Sequence, residues 1–303
     1  MTGTVLILGA NGKFGKACAT AFAEKGWTVR RFDRKTGDMT QAAMGADVIV
    51  NGLNPPNYHN WAQNLPRITA AVIAAAKASG ATVILPGNVY PFGTAPGVWD
   101  ETTPHHPNSR KGALRAELEA TYRQAATEGV QTINLRAGDI IDPKAQDTVF
   151  SMVMFKDLAK GKMTTLSQAD APHAWCFAPD FGRAAVALAE KRDRLAAYED
   201  IPFPGQTLTP SQMRKIVEDL TGRSLRVTRF PWWAMTLAAP FWELARELKE
   251  MRYLWDTPHS LSGDKFFRLL PDFRPTSPRA AIAAALPRYV DPNQPVVAAG
   301  RAV

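Results

Sequence analysis

Cysteine is scarce: the 303 residues contain two, Cys18 and Cys176. Two cysteines build no disulfide framework, so a reduced, cytoplasmic protein is the simple reading. Cys18 reads as a small buried hydrophobe on the sheet side of a helix. Long apolar runs are also missing. The longest, around residues 232–245, is cut by Pro240 and gives way to the charged run Glu243 to Lys249, too short and too interrupted to span a bilayer. No basic leader or cleavage site precedes the first apolar segment, so no signal peptide is expected. Zinc-ligand spacing is absent: His173-x-x-Cys176 has no further ligands beside it, and no metal is expected. There is no basic stripe interleaved with aromatics, and there are no repeats. Neither nucleic acid nor a membrane is an expected partner.

What is present is ordinary for a globular protein, with 46% hydrophobic and 21% charged residues. The formal charge of +8 favours anionic ligands. The N-terminal half alternates strand and helix. Thr4 to Leu8, Trp27 to Asp33, Ala46 to Asn51, Thr82 to Leu85 and Gln131 to Leu135 read as strands. Helices are expected over about Lys13 to Lys25, Asn64 to Ser79 and Lys111 to Thr127. Such units need crossovers, so they form a doubly wound parallel α/β sheet with helices on both faces. Beyond Asp142-Pro143 prolines multiply and strands become scarce. The helix Asp180 to Lys191 looks like a return to the first domain. The expected division is a dinucleotide-binding domain over 1–142 with 178–195, and a smaller, mostly helical lid over 143–177 and 196–303, with a small-molecule substrate between them. The Ala/Val-rich tail after Pro295 reads as a loose end.

Gly9-Ala10-Asn11-Gly12-Lys13-Phe14-Gly15 joins an apolar strand to an amphipathic helix. Gly9 permits the tight turn, Gly12 lets backbone approach a pyrophosphate, and Gly15 lets helix and strand pack closely. The helix N-terminus adds free N–H groups and a positive dipole end. A tight turn that binds nothing is the plainer alternative. The G-x-x-G-x-x-G spacing resembles the short-chain dehydrogenase/reductase superfamily, in particular its extended and atypical, epimerase/dehydratase-like branches. Gly37-Asp38-Met39 resembles that family's adenine-contacting turn. Ala46 to Val50 resembles the strand leading into its cofactor loop, here Asn51-Gly52-Leu53-Asn54. Asn88-Val89-Tyr90 with Gly93 resembles its segment below the nicotinamide, Leu135 to Ile141 its substrate-side strand and loop, and Ala178-Pro179-Asp180 its re-entry helix. The resemblance covers roughly residues 3 to 195. It implies an NAD(P)-binding Rossmann fold, an oxidoreductase or epimerase-like activity on a small carbonyl, hydroxy or sugar-derived compound, and a homodimer through paired long helices.

The second strand ends in Arg30-Arg31-Phe32-Asp33-Arg34-Lys35. An acid at this place accepts bonds from a ribose diol and favours NAD; an arginine clamps a 2′-phosphate and favours NADP. Asp33 and Arg34 supply both. Neighbouring side chains on an extended segment point apart, so one of them faces the ribose, and the basic run tilts the choice to NADP.

The resemblance also exposes a second scarcity. Relatives carry Tyr-x-x-x-Lys on the long helix and a serine before it. Aligned on Glu119, those places hold Lys111 and Arg115, and the preceding strand reads Ile84-Leu85-Pro86-Gly87-Asn88 without a hydroxyl. Three readings stay open. Tyr90, Lys111 and Arg115 could serve redox chemistry, with the Lys111 pKa lowered by Arg115. The protein could bind cofactor without turnover, as NmrA-like redox sensors do. Or Lys111, Arg115 and Glu119 are a solvated helix stripe with an i,i+4 ion pair. His105-His106 lies in the loop that flanks the substrate pocket of relatives. Asp170, His173 and Trp175 fall where relatives hold substrate-side residues, although Trp175 also reads as plain core.

Overall fold

The computed structural model describes residues 2–33, 35, 37–55, 58–145 and 147–286. Arg34 and the tail after Pro295 lie outside them. Apolar β1 (Thr4–Leu8) leads through the glycine turn into α1 (Lys13–Glu24), and Gly26, at φ +78°, ends that helix where a side chain would be strained. β2 (Thr28–Arg31), α2 (Met39–Ala43), β3 (Val48–Asn51), α3 (Trp61–Ser79) and β4 (Thr82–Gly87) follow. Leu65, Val72 and Ala75 form the buried stripe of α3. After the short β5 (Gly97–Trp99) come α4 (Arg110–Thr127), β6 (Thr132–Arg136) and β7 (Asp139–Ile141). Ser109 caps α4 by accepting the Gly112 N–H at 3.0 Å.

The C-terminal half adds β8 (Lys162–Thr165), β9 (His173–Phe177), α5 (Ala178–Ala189), β10 (Tyr198–Pro202), β11 (Gln206–Leu208) and α6 (Pro210–Thr221). β12 (Arg226–Arg229), α7 (Trp232–Ala238), α8 (Glu243–Glu250), α9 (Tyr253–Asp256), β13 (His259–Leu261), α10 (Asp264–Leu269) and α11 (Pro278–Ala285) complete it. The central sheet runs β2-β1-β3-β4-β6-β10, all parallel. This is the expected doubly wound sheet. The chain order reverses between β1 and β3, which opens a crevice at their carboxyl ends, the place where such sheets bind ligands.

The boundary at 196 needs correction. β10, assigned to the lid from sequence, is the edge strand of the central sheet, and Phe266 and Leu270 join the same core as β1, α1 and α5. The rest of the C-terminal part is helical, with short strand pairs β8–β12 and β5–β13 and the three-stranded β11-β9-β7. Among the described residues no helix is long and apolar enough to cross a membrane.

Aromatic stacking ties the C-terminal part to β5 and the turn after β4. His173 lies flat on Trp255 at 4.2 Å, His259 flat on Trp99 at 4.5 Å, and the two imidazoles meet edge to face. His259 Nδ1 faces the Thr257 carbonyl at 2.8 Å and therefore carries the proton. Its Nε2 is buried without a partner among the described residues. Burial, helped by His173, pushes its pKa down to about 3. An unfolded histidine titrates near pH 6.5, so the unfolded state takes the proton first. Stability from this site is complete above pH 6.5 and falls on acidification towards 3. We expect about 2 kcal/mol to be lost by pH 5, and the loss to shrink in His259→Phe, which keeps the stacked ring. Urea midpoints at pH 7 and pH 5 for both proteins measure it; parallel losses would rule out His259 as the source.

Candidate functional site

The glycine loop separates two demands that the sequence pattern runs together. Gly9 has φ +69°, and a Cβ there would lie 2.5 Å from the Gly52 carbonyl oxygen. A Cβ on Gly15 would come within 2.2 Å of the Gly9 carbonyl oxygen. Both glycines are required by the protein's own packing. Gly12 is not. Its backbone is ordinary extended chain (φ −76°, ψ 169°), and an added Cβ would lie 3.2 Å from the Gly9 carbonyl oxygen, a tight approach that a shift of a few tenths of an ångström relieves. What a Gly12 side chain would fill is the space over the N-terminus of α1. No side chain caps that terminus, so its first N–H groups face outward.

That space opens into a cavity of about 1050 Å³ over the carboxyl ends of the strands. Asn11, Gly12, Lys13 and Phe14 border one end, and Tyr58, Tyr90, Arg115 and Asp139 the other. Between them lie the turns after β3 and β4. Asn51 holds its turn by donating to the Tyr122 hydroxyl (3.0 Å) and accepting the Leu53 N–H (3.3 Å). Asn54 accepts from Arg115 at 2.9 Å, and Asn88 accepts the Tyr90 N–H at 3.0 Å. Gly52, Leu53, Asn54 and Asn88 thus share one wall with the glycine loop. Lys13 is tied to Asp147 at 2.8 Å, and Phe14 packs on Phe181.

The residues expected at the adenosine end do not border this cavity. Asp38 caps α2 by accepting the Gln41 N–H at 2.9 Å, the Asp33 carboxylate accepts the Lys35 N–H at 2.9 Å, and Met39, the first residue of α2, packs against the core. Asp33 and Asp38 are exposed beyond the glycine loop.

Helix α4 corrects the picture of its own polar face. Lys111, Arg115 and Glu119 are not a solvated stripe: Lys111 and Glu119 are buried and Arg115 is half-buried. Nor do Arg115 and Glu119 pair with each other. Lys111 turns away from the cavity to Glu247 and to Glu250 (3.0 Å) on α8, with Arg110 joining from outside. Its nearest charges are therefore two carboxylates and not Arg115, the neighbour that the sequence set beside it. Of the three expected catalytic groups, Tyr90 and Arg115 meet at the cavity and Lys111 does not. Arg115 lies over the Trp61 ring at 4.7 Å, and its buried Nε has no partner among the described residues.

Tyr58 is the group that sequence reading missed. Its hydroxyl lies 3.4 Å from that of Tyr90. Tyr58 and Asn60 both hold positive φ, a costly conformation for a tyrosine that marks this loop. Burial raises the pKa of both hydroxyls, that of Tyr90 most, so at neutral pH they are protonated donors. The one sequence signal for Tyr58 is its place in the turn after β3. Asp139 was visible only as part of a motif. Its carboxylate borders the cavity and is held from behind by His173 Nε2 at 2.7 Å. Trp175 is core, and Asp170 is exposed.

Behind the tyrosines lies a buried charge cluster. Arg136, fully enclosed, makes a two-pronged contact with Glu119 (3.0 and 2.7 Å) and also grips Asp200 and the Asn88 carbonyl. His105 packs behind Glu119 rather than lining the cavity. His105, Glu119 and Asp200 bring ligand atoms within 4.8 Å of one another. The Arg136 guanidinium already occupies that centre and saturates the carboxylates.

A family model described as the NAD dependent epimerase/dehydratase family matches residues 5–202. No curated protein matches. Among solved structures, MoeE5 in complex with UDP-glucuronic acid and NAD is 16% identical, with 93% of this chain and 97% of that one covered at a TM-score of 0.73. The UDP-glucuronic acid 4-epimerase from Bacillus cereus, with UDP-glucuronic acid and NAD, is 14% identical, covering 93% and 98% at a TM-score of 0.74. A partial consensus L-threonine 3-dehydrogenase is 17% identical, covering 93% and 97% at 0.72. At these identities the likeness is one of fold.

Proposed function

The chain belongs to the NAD dependent epimerase/dehydratase family, and from that premise we propose that it binds NAD(P) across the glycine loop and carries out oxidoreductase or epimerase-type chemistry on a small carbonyl, hydroxy or sugar-derived compound. The observation that carries this reading is the continuous cavity from the uncapped N-terminus of α1 to Tyr90 and Arg115, with Gly12 left bare at its entrance. A pyrophosphate fits the first end, where N–H groups and Lys16 are the available donors. A nicotinamide held at the other end, beside Tyr90 and Arg115, would supply hydride exchange. Around it Arg115 offers a fixed positive charge that no proton transfer removes. Tyr90 and Tyr58 stay protonated and donate to a substrate oxygen. The choice of NADP over NAD rests on Arg34 against Asp33. A reducing, cytoplasmic setting fits two buried free thiols. The adjacent helices α3 and α4 are the surfaces a homodimer of this family type would pair.

Calorimetry with NAD+, NADH, NADP+ and NADPH tests the reading, and no binding of any of them at millimolar concentration ends it. We expect Arg115→Ala to weaken cofactor binding by about 1.5–3 kcal/mol, the worth of a charge-assisted bond. Tyr90→Phe should spare binding and slow any turnover by about 10²–10⁴. If both variants behave as wild type, the reacting end lies elsewhere. One observation favours a second reading, a cofactor sensor without turnover: Lys111, which alignment on Glu119 sets at the place of the usual tyrosine, is locked to Glu247 and Glu250. A sensor separates oxidised from reduced cofactor by affinity and consumes neither.

A further inference from the structure

We propose that the turn between α7 and α8 is a docking surface for anionic lipid bilayers. Trp233, Leu237 and Phe241 are 70%, 68% and 94% exposed, and Trp242 is about half exposed. The Phe241 and Trp242 N–H groups bond to the Ala238 carbonyl at 3.0 and 2.9 Å, so the helical path continues past the end of α7. Spacing of four along that path puts Trp233, Leu237 and Phe241 on one stripe. Three large side chains bared side by side are unusual on a soluble protein and mark an interaction site.

Charge selects the occupant. Exposed Arg226 and Arg229 lie on β12, which runs directly into α7; exposed Arg246 and Lys249 lie on α8, with Arg246 reaching back to the Ala239 carbonyl. Most acids of this region are occupied, Glu247 and Glu250 by Arg110 and Lys111 and Asp256 by Arg252, while Glu243 faces His59 at 3.4 Å, an ion pair only when the imidazole is protonated. Arg226, Arg229 and Lys249 make no ion pair among the described residues. A second copy across a two-fold axis would set these cations against themselves. An anionic bilayer answers both features, with aromatic and aliphatic side chains at the headgroup boundary and cations on the phosphates. The chain's net charge of +8 has the same sign. The apolar run is too short to span a bilayer, yet long enough to lie on one. Leu244 and Leu248 of α8 border the cavity, so the docking turn and the cavity mouth share one helix pair. The proposal does not depend on which cofactor binds.

Co-sedimentation of the full chain with vesicles of phosphatidylcholine, alone or mixed with phosphatidylserine, is the test. Binding to the mixed vesicles and its weakening by salt are expected. The triple variant Trp233→Ser, Leu237→Ser, Phe241→Ser should bind roughly tenfold less or worse, with unchanged melting because these side chains touch little else. Arg226→Glu with Arg229→Glu and Lys249→Glu should remove the preference for phosphatidylserine. No binding of the wild type to either vesicle overturns the proposal, as does wild-type binding by both variants. Concentration-dependent dimers in light scattering that the triple variant abolishes overturn it too, and assign the surface to a second copy.

Discussion

Replacing Arg136 by methionine should cost about 3–5 kcal/mol of folding stability, because it leaves two carboxylates buried without their cation. Folded proteins hold roughly 5–15 kcal/mol in all, so the variant should be marginal at neutral pH. Its pH response should also differ from the wild type. In the wild type burial works against the Arg136 charge, and the attraction of the Glu119 and Asp200 carboxylates more than offsets it, so the guanidinium pKa is raised. Without the cation, burial raises the carboxyl pKa values above their unfolded ones, and the folded state then holds more protons than the unfolded state. Stability of the variant relative to wild type should therefore recover as pH falls from 7.5 to 5.5. Urea unfolding of both proteins at the two pH values measures this. A deficit that is the same at both would mean the lost energy is packing, including the Arg136 contact with the Phe92 ring at 4.8 Å. The variant Glu119→Gln with Asp200→Asn and Arg136→Met should be milder than Arg136→Met alone, since it removes the buried charge altogether.

The second large effect sets Gly12 against Gly15. Gly15→Ala should lower the melting temperature sharply, because its Cβ would sit 2.2 Å from a carbonyl oxygen in backbone that cannot yield without parting α1 from β1. Gly12→Val should melt much closer to wild type than Gly15→Ala does, since its backbone is ordinary and the Gly9 carbonyl oxygen, 3.2 Å from the added Cβ, need give by only a few tenths of an ångström. It should nonetheless lose dinucleotide binding by about a hundredfold or more, some 2.8 kcal/mol. Calorimetry and thermal melts on the two variants separate a fold requirement from a ligand requirement. If Gly12→Val binds dinucleotide like the wild type, the pyrophosphate does not cross the loop there.

Much of the sheet was legible because its strands are short apolar runs between glycine turns and amphipathic helices, a pattern fixed by local physics. β1, α1, β3, α3, β4, α4 and β6 fall within about three residues of the expected bounds. β10 was not legible. Tyr198-Glu199-Asp200-Ile201-Pro202 reads as a loop, with two acids and a proline in five residues. An edge strand tolerates the proline at its end, and Asp200 is accepted in the core only because Arg136 from the neighbouring strand neutralises it. The cofactor loop was legible as a motif, but the separate duties of its glycines were not, since those depend on Gly52, forty residues away. Lys111 was misread for the same reason. Its carboxylate partners lie about 140 residues downstream on a helix whose packing no local pattern reveals. Tyr58 was missed because a tyrosine in a proline-flanked turn has no periodicity to mark which way it faces.

The Lys111 clamp has a mechanical consequence. Helix α4 is a stiff rod of 18 residues with its first turn fastened to the lid and, one turn further on, Arg115 aimed into the cavity. The fastening is sheltered, with Lys111 about 5% and its acids 12–15% exposed, so ionic strength barely loosens it. Any motion that lifts α8 must draw an ammonium from two carboxylates, which costs about 3–5 kcal/mol and leaves the raised form at roughly one molecule in a hundred to one in several thousand. Such a latch makes entry through that side infrequent and leaves Arg115 at rest. The seating of the lid and the grip on whatever fills the cavity are then read from the same rod.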